Sequence, residues 1–317
     1  ESALDASVSG GNNTAIGINS CTSLTSGTNN TGVGSASLLL VTTGSNNTGI
    51  GRQSVDSTTT GSNNTGIGSA ALAGNTTASN NTAVGYAALL SNTTGTSNVA
   101  VGALALDANT NGNQNVGIGK NALGSNTSGG ANTAVGHGSL AVNTNADNNS
   151  AFGWHSLVSN TTGNRNTAVG AEALTNNTTA DNNTACGYAS LQNTTTGDLN
   201  VAIGKSALLT NTVGDRAVAV GANALQAQNP ASNADTYNVA VGLNAQFATT
   251  TGINNTAIGG LSLSNNTTGT SNVSVGFDSM RTNTTGDTNI AVGHGALFSN
   301  TTADNNTALG YLTLYSN

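Results

Sequence analysis

The stretch N-T-A-V-G-Y-A-A-L-L-S-N-T-T-G-T-S at residues 81–97 recurs in close copies along the whole chain. The Gly at its fifth place occurs 18 times, from Gly17 to Gly310. Successive copies of this Gly are 17 residues apart, as Gly17 and Gly34 are, in every case but one. A fixed period of this kind predicts a repeat architecture. We number the unit from position 1 (Asn81) to position 17 (Ser97), and we call the residues at one position in successive copies a row.

The unit predicts β-structure and disfavours helix. Helical repeats need about 33 residues or more, and each Gly inside a helix costs about 1 kcal/mol. Positions 1 to 4 alternate in polarity and carry β-branched residues, as a short strand does. We therefore predict an all-β protein, a parallel β-solenoid of about 18 coils in which rows stack ~4.8 Å apart. Residues 1–317 are expected to form a single continuous repeat domain.

The composition of each row predicts its role. Position 4 is apolar in every copy and position 9 is Leu in 14 of 18 copies, so we expect both rows inside the coil. Position 5 is always Gly, which predicts a corner with positive φ. The Asn row at position 1 and the Thr row at position 13 are expected to form hydrogen-bonded ladders. The structural residues predicted in this way are represented by Asn81, Asn98, Asn115, Thr93, Thr110, Gly85 and Gly102.

One interval is longer than the rest. The spacing from Gly221 to Gly242 exceeds the regular one by four, and the only proline, Pro230, lies within it. We predict that residues 226–237 form an insertion loop, with stacking continuous on either side.

Charge and hydropathy exclude several partners. The net charge is −7 with only six Lys and Arg residues, whereas nucleic-acid binding needs a cationic surface. No apolar run approaches the ~20 residues of a membrane helix, and the first residues have no secretory signal pattern. Cys21 and Cys186 are about ten coils apart, beyond the ~7 Å limit for a disulfide, so both are interpreted as small core residues.

Chemistry-bearing residues are scarce. The only histidines are His137, His155 and His294, and no Ser/His/Asp or Cys/His set is brought together by the repeat register. The calcium-binding repeat typical of some β-helices is also missing. We therefore predict no enzymatic activity, no cofactor and no metal.

The unit resembles a known class of repeats. The motif N-T-A-V-G-x-x-A-L at 81–89 and 166–174, and at 132–140 with Ser at the eighth place, resembles the head repeats of trimeric autotransporter adhesins, which carry S-V-A-I-G-x-x-S/A. The N-T-T-G segment is similar to repeats in phage and virus tail fibres. The resemblance covers the whole chain and implies a left-handed β-roll, assembly as a homotrimer, and a place outside the cell, on a cell surface or on a virion. No heptad stalk or membrane anchor accompanies it here.

Three functions remain open from the sequence. The first is an adhesive or receptor-binding fibre segment, the second a passive spacer or filament-forming shaft, and the third an ice-binding solenoid that uses stacked Thr. The variable position 6 row is the candidate for binding host-surface glycans or proteins through exposed aromatic residues. Its members are Tyr86, Trp154, Tyr188, Phe277 and Tyr311.

Self-association is expected along the rod or at its ends. The apolar content of each coil is thin, so side-by-side association would supply further burial. The repeat runs to both ends without the polar cap that solenoids normally carry. These ends fit either a piece of a longer fibre or copies that stack end to end, and we expect a homotrimer, an end-to-end filament, or both.

Overall fold

The structure is a computed structural model that describes residues 3–4 and 8–316. These fall into two compact units, residues 1–162 and 163–317. Within the described residues every helix or strand element is a β-strand, and equivalent strands of successive repeat units pair in parallel. The predicted all-β parallel solenoid is therefore confirmed.

The described residues of unit 1 contain nine three-residue strands, one in each coil from residue 13 onward. Each pairs in parallel with the next along the chain, as Thr82 does with Val99 and Val84 with Val101. The strands are β1 Thr14–Ile16, β2 Thr31–Val33, β3 Thr48–Ile50, β4 Thr65–Ile67, β5 Thr82–Val84, β6 Val99–Val101, β7 Val116–Ile118, β8 Thr133–Val135 and β9 Ser150–Phe152.

Unit 2 has nine equivalent strands and two short additional ones. The equivalent strands again pair in parallel in chain order, while the additional strands β13 and β15 pair with each other. The strands are β10 Thr167–Val169, β11 Thr184–Cys186, β12 Val201–Ile203, β13 Gly214–Asp215, β14 Val218–Val220, β15 Ala234–Asp235, β16 Val239–Val241, β17 Thr256–Ile258, β18 Val273–Val275, β19 Ile290–Val292 and β20 Thr307–Leu309.

The core of each coil is narrow and partly polar. The rows at positions 1, 3, 8, 9 and 12 are buried. Asn is typical of positions 1 and 12, Ala or Gly of position 3, Ala or Ser of position 8, and Leu of position 9. A Cβ built on Gly117, at position 3, would lie 3.2 Å from Cγ of Leu106. Position 3 therefore accepts only small residues, because its side chain faces the Leu row across this narrow interior.

The prediction that the position 4 row lies inside is wrong. Ile118 is 39% exposed and Val169 is also 39% exposed, and the other members are half-buried or exposed. Successive side chains of a strand point to opposite faces. Because positions 1 and 3 point inward, positions 2 and 4 must point outward.

The two cysteines follow their rows. Cys21 replaces Leu at position 9 and is buried, as expected. Cys186 stands at position 4 and is exposed, so its interpretation as a core residue is wrong for the reason that applies to its row.

The Gly at position 5 sits where any side chain would collide. Gly85 has φ 135° and Gly102 has φ 131°. A Cβ on Gly85 would lie 2.6 Å from the carbonyl oxygen of Gly102, in the next coil. Backbone stacking and positive φ together account for Gly at this position.

Residues other than Gly also adopt the left-handed conformation. Positions 7, 9 and 17 have positive φ in most coils, for example Ala87 at 53°, Leu89 at 50° and Asn80 at 63°. This conformation suits Asn but is unusual for Leu and Ala. Its recurrence turns the chain sharply enough to close a coil within a single repeat unit.

The two buried Asn rows are bonded differently. At position 1, the backbone N–H of Asn98 donates to Oδ1 of Asn81 at 2.9 Å, and Nδ2 of Asn81 donates to the carbonyl of Gly95 at 2.8 Å. At position 12, Nδ2 of Asn92 donates directly to Oδ1 of Asn75 at 2.9 Å. The position 1 row is thus distinguished by the backbone N–H that donates to each side-chain oxygen, and Asn98 and Asn115 continue it. Bonds from amide to amide occur in both rows, since Nδ2 of Asn132 donates to Oδ1 of Asn115 at 3.2 Å.

The Thr row at position 13 links neighbouring coils through its hydroxyls. Oγ1 of Thr93 donates to the carbonyl of Thr110 at 3.0 Å, and Oγ1 of Thr110 donates to that of Thr127 at 3.0 Å. The hydroxyl hydrogens of these residues are therefore used within the solenoid.

The longer coil in unit 2 accommodates four extra residues and keeps the buried position 12 row, although Ala217 interrupts the Asn row at position 1. Within residues 226–237, Gln228 is buried in the position 12 row and its Oε1 accepts from Nδ2 of Asn238 at 2.9 Å. Pro230 is buried and Thr236 is 1% exposed, whereas residues 231–233 and Asp235 are exposed. The strands β14 and β16 still pair in register around it.

Candidate functional site: the outward face and the position 6 row

Two surfaces stand out on these coils. The first, which we call the outward face, consists of the rows at positions 2 and 4. The second is the position 6 row, which follows the Gly corner. They differ in composition.

The outward face is uniformly uncharged. In all 18 copies position 2 is Thr, Ser, Val or Ile, and position 4 is Val, Ile, Phe, Cys or Leu. The 19 charged residues of the chain, 13 acidic and six basic, all lie at other positions. A solvent-facing strand face normally carries polar and charged residues, so this face has the composition of a covered surface.

The outward face is also regular. In strands β1 to β8 of unit 1 it repeats Thr or Val beside Ile or Val, as at Thr65 and Ile67 and again at Val116 and Ile118. Because neighbouring strands are ~4.8 Å apart, the apolar side chains form a continuous ridge. Phe152 lies at its end in unit 1, 41% exposed, and Cys186 belongs to the corresponding row in unit 2.

The aromatic residues predicted for the position 6 row are all exposed, from 49% for Trp154 to 72% for Tyr311. They are not all brought together. Tyr86 and Trp154 are four coils apart in unit 1, with Ala103, Lys120 and His137 between them.

Three position 6 rings of unit 2 do form a stack. The ring centroids of Phe277 and His294 are 5.5 Å apart, and those of His294 and Tyr311 are 5.4 Å apart. Beside them, at position 10, Phe298 stacks on Tyr315 with centroids 4.9 Å apart and planes 13° apart. At position 7 of the same coil, a Cβ on Gly295 would lie 2.7 Å from Cδ2 of Leu312, so Gly there makes room for the Leu312 side chain beside these rings.

Tyr188 is the polar member of the row. Its pKa is raised, chiefly because its hydroxyl hydrogen-bonds to the carboxylate of Glu172 and also because that negative charge is near. Nε2 of Gln192 donates to Oε2 of the same Glu172 at 2.9 Å. A phenol, a carboxylate and an amide therefore share one exposed network.

Some residues of these surfaces were not singled out from the sequence. Tyr237, in the long coil, lies beside Arg216, whose Nη1 donates to its hydroxyl at 3.0 Å and to Oδ2 of Asp235 at 2.5 Å. His155 stands at position 7 and is stacked on Trp154, with ring centroids 3.9 Å apart. The repeat register alone could have placed His155 next to the position 6 row, but its stacking depends on side-chain conformations that the pattern does not give.

Among the described residues, no helix is long and apolar enough to cross a membrane. Comparison with protein-family models and with curated proteins finds no match for this chain.

Proposed function

We propose that the chain is a structural fibre segment whose copies associate side by side through the outward face. The observation that supports this most directly is the uncharged outward face, with its apolar ridge at position 4, which a single chain leaves half-exposed in every coil. Extended apolar surfaces of this kind are typical of interaction sites.

A second copy of the same chain is the occupant that the ridge fits best. Its side chains recur once per coil, so an identical chain offers side chains at the same spacing along its whole length. The ridge carries no charge that would select a partner of opposite sign. The core of each coil is thin, so burying the ridge adds to stability at about 25 cal/mol per Å² of apolar surface. The resemblance to adhesin head repeats suggests three copies.

The position 6 row is the surface that we assign to ligand contact. It remains outside the strands and varies from coil to coil, as a recognition surface does, whereas the outward face is nearly invariant. This supports an adhesive or receptor-binding segment outside the cell or on a virion, rather than an enzyme. The other possibility, a passive shaft, predicts that the aromatic residues of this row bind nothing.

Association is tested by light scattering on the wild-type chain and on Ile118→Asp, which places a carboxylate in the ridge. We expect wild-type particles with three times the mass of one chain and a shift toward single chains in the variant, with unchanged circular dichroism. Tyr86→Asp, on the position 6 row and 63% exposed, is the matched control and should associate like the wild type. Single chains in the wild type at all concentrations would overturn the proposal.

Cys186 offers a second test without any substitution in the ridge. It is exposed on the outward face, so parallel, in-register copies bring their Cys186 thiols together. Mild oxidation should give a covalent dimer on non-reducing gels, and Cys186→Ser should not. If oxidation gives only monomers at concentrations where light scattering shows association, the copies meet through another surface.

Ligand binding by the position 6 row is a separate question. Binding to a glycan array or to host cells should fall when Trp154 or Tyr311 is replaced by Ala, with no change in the association state. A variant that loses association but still binds ligand, or one that loses binding but still associates, shows that the outward face and the position 6 row have separate roles. If the wild type binds nothing on the array or on cells, the passive shaft is favoured.

A further inference from the structure

A cluster of three ring side chains lies on the surface of unit 1, away from the outward face. It consists of His137 at position 6 of one coil, and Trp154 and His155 at positions 6 and 7 of the next. The ring centroids of the two histidines are 5.5 Å apart with planes 30° apart, and the His155 ring is stacked on Trp154 at 3.9 Å and 13°. Two of the chain's three histidines therefore meet here.

Gly138 makes this arrangement possible. It occupies position 7 directly before His155 in the row, and a Cβ on it would lie 2.8 Å from Cδ2 and 3.2 Å from Nε2 of His155. Without a side chain at Gly138, the His155 ring packs against the backbone next to His137. The backbone N–H of His155 also donates to the carbonyl of His137 at 3.1 Å, which fixes the register of the two coils.

The separation of the two imidazoles suits a shared metal ion. With metal–nitrogen bonds of about 2.0–2.1 Å, the centroids of two imidazoles on one ion lie roughly 4.5 Å apart at the right angle of a tetragonal Cu²⁺ site and roughly 5 Å apart at a tetrahedral angle. The observed 5.5 Å is within about 1 Å of both values. Trp154 restricts the movement of one ring by covering it, which reduces the rotamer freedom that binding would otherwise remove.

We propose that His137 and His155 form a two-imidazole site for a divalent transition metal ion, with Cu²⁺ bound most tightly. Neutral imidazole suits copper, zinc and nickel, and affinity for a given set of nitrogen ligands is highest for Cu²⁺. No group of three or more His, Cys, Asp or Glu residues that could hold a metal occurs within residues 3–4 and 8–316. Water completes the coordination, and binding is weaker than at a site with three or four protein ligands.

The chain carries its own reporter for this site. Trp154 is the only tryptophan, and its stacking on His155 places it within reach of quenching by a paramagnetic ion. The test titrates CuCl₂ into the full-length Cys186→Ser chain in a non-coordinating buffer. That background removes the exposed thiol, which Cu²⁺ would otherwise oxidise. We expect saturable quenching at one ion per chain that is reversed by EDTA.

The variant at position 7 is chosen from residues that this position already holds in other coils. His155→Asn places Asn at position 7, where Asn19 and Asn121 have φ 59°, so the backbone is preserved. His155→Asn and His137→Asn should each weaken binding roughly tenfold or more, since the loss of even an outer-shell partner costs about 10- to 100-fold. His294→Asn is the control and should bind like the parent, because His294 stacks between Phe277 and Tyr311 with no second histidine.

Electron paramagnetic resonance gives a readout that does not depend on Trp154. The Cu²⁺ spectrum should show nitrogen couplings from two imidazoles in the parent and from one in either single variant. Quenching that does not saturate, or that His294→Asn reduces as much as His155→Asn does, would overturn the proposal. So would a spectrum that is the same in the parent and in His137→Asn.

Discussion

The rows at positions 4 and 9 are both apolar, but only one of them is core. In the coil that begins at Asn115, Ile118 at position 4 is 39% exposed while Leu123 at position 9 is fully buried. The hydrophobicity of a row therefore does not predict whether its side chains lie in the core or on the surface of this solenoid. The feature that identifies position 4 as outward-facing is the small residue before it in the strand. Gly117, directly before Ile118, must be small because it faces the Leu row inside the coil.

The largest expected difference between the rows is in the response to a charge. Leu123→Asp should destabilise a single chain by several kcal/mol, because an unpaired carboxylate is buried. Ile118→Asp should cost less than about 1 kcal/mol, because its carboxylate stays in contact with water. Thermal unfolding checks this in an Ile67→Asp background, which is chosen to prevent the proposed association of chains. Equal melting temperatures for the two variants would show that the rows are assigned wrongly.

This difference marks the limit of what the sequence predicted. The period, the parallel strands and the Gly corner followed from spacing and residue type alone. The position 4 row was predicted inside because apolar strand residues usually are core residues. That prediction failed because so short a coil is too narrow to hold the side chains at positions 4 and 9 as well as two rows of Asn.

Other features could not be predicted because the pattern does not specify them. Asn92 is buried and bonded to Asn75, but the sequence shows only a polar residue within a polar N-T-T-G segment. The left-handed conformation of Leu89 contradicts the usual preference of Leu. The contact between the His137 and His155 rings depends on the small size of Gly138 and on the orientation of both rings. The repeat pattern does not specify ring orientation.

A smaller difference is expected when side chains are truncated without adding charge. Leu123→Ala should cost about 2–5 kcal/mol, the usual range for a buried Leu. Ile118→Ala in the same coil should cost less in single chains, because much of its side chain is already in water. Chemical denaturation of the two variants in the Ile67→Asp background measures both values. An equal loss would indicate that position 4 is buried in the single chain as well.

The natural cysteines probe the same two rows without any substitution. Cys21 belongs to the position 9 row, and burial raises the pKa of its thiol, which lowers the fraction of reactive thiolate. Cys186 belongs to the position 4 row and is exposed. In dilute solution, Cys186 should react rapidly with a thiol reagent, and Cys21 only after denaturant is added. Cys186→Ser is the control and should leave no thiol that reacts rapidly; comparable rates for the two thiols would contradict the assignment.

The smallest expected effect concerns the backbone that carries the buried row. The leucines at position 9 adopt the left-handed conformation, at a cost of roughly 1–2 kcal/mol each, which burial of about 1.5–3 kcal/mol per side chain offsets. Ala36, at position 7 with φ 55°, has the same conformation with little burial to offset it. Ala36→Asn should therefore stabilise the chain by less than about 1 kcal/mol, because Asn adopts this conformation readily. Its amide could also bond to Asn19, as Asn223 bonds to Asn244 at 3.0 Å in the same row.

Ala36→Val is the opposite control and should destabilise, because a β-branched residue is least suited to positive φ. If Asn and Val shift the melting temperature alike, backbone strain is not what distinguishes these positions, and the stability of the position 9 row must be explained by burial alone.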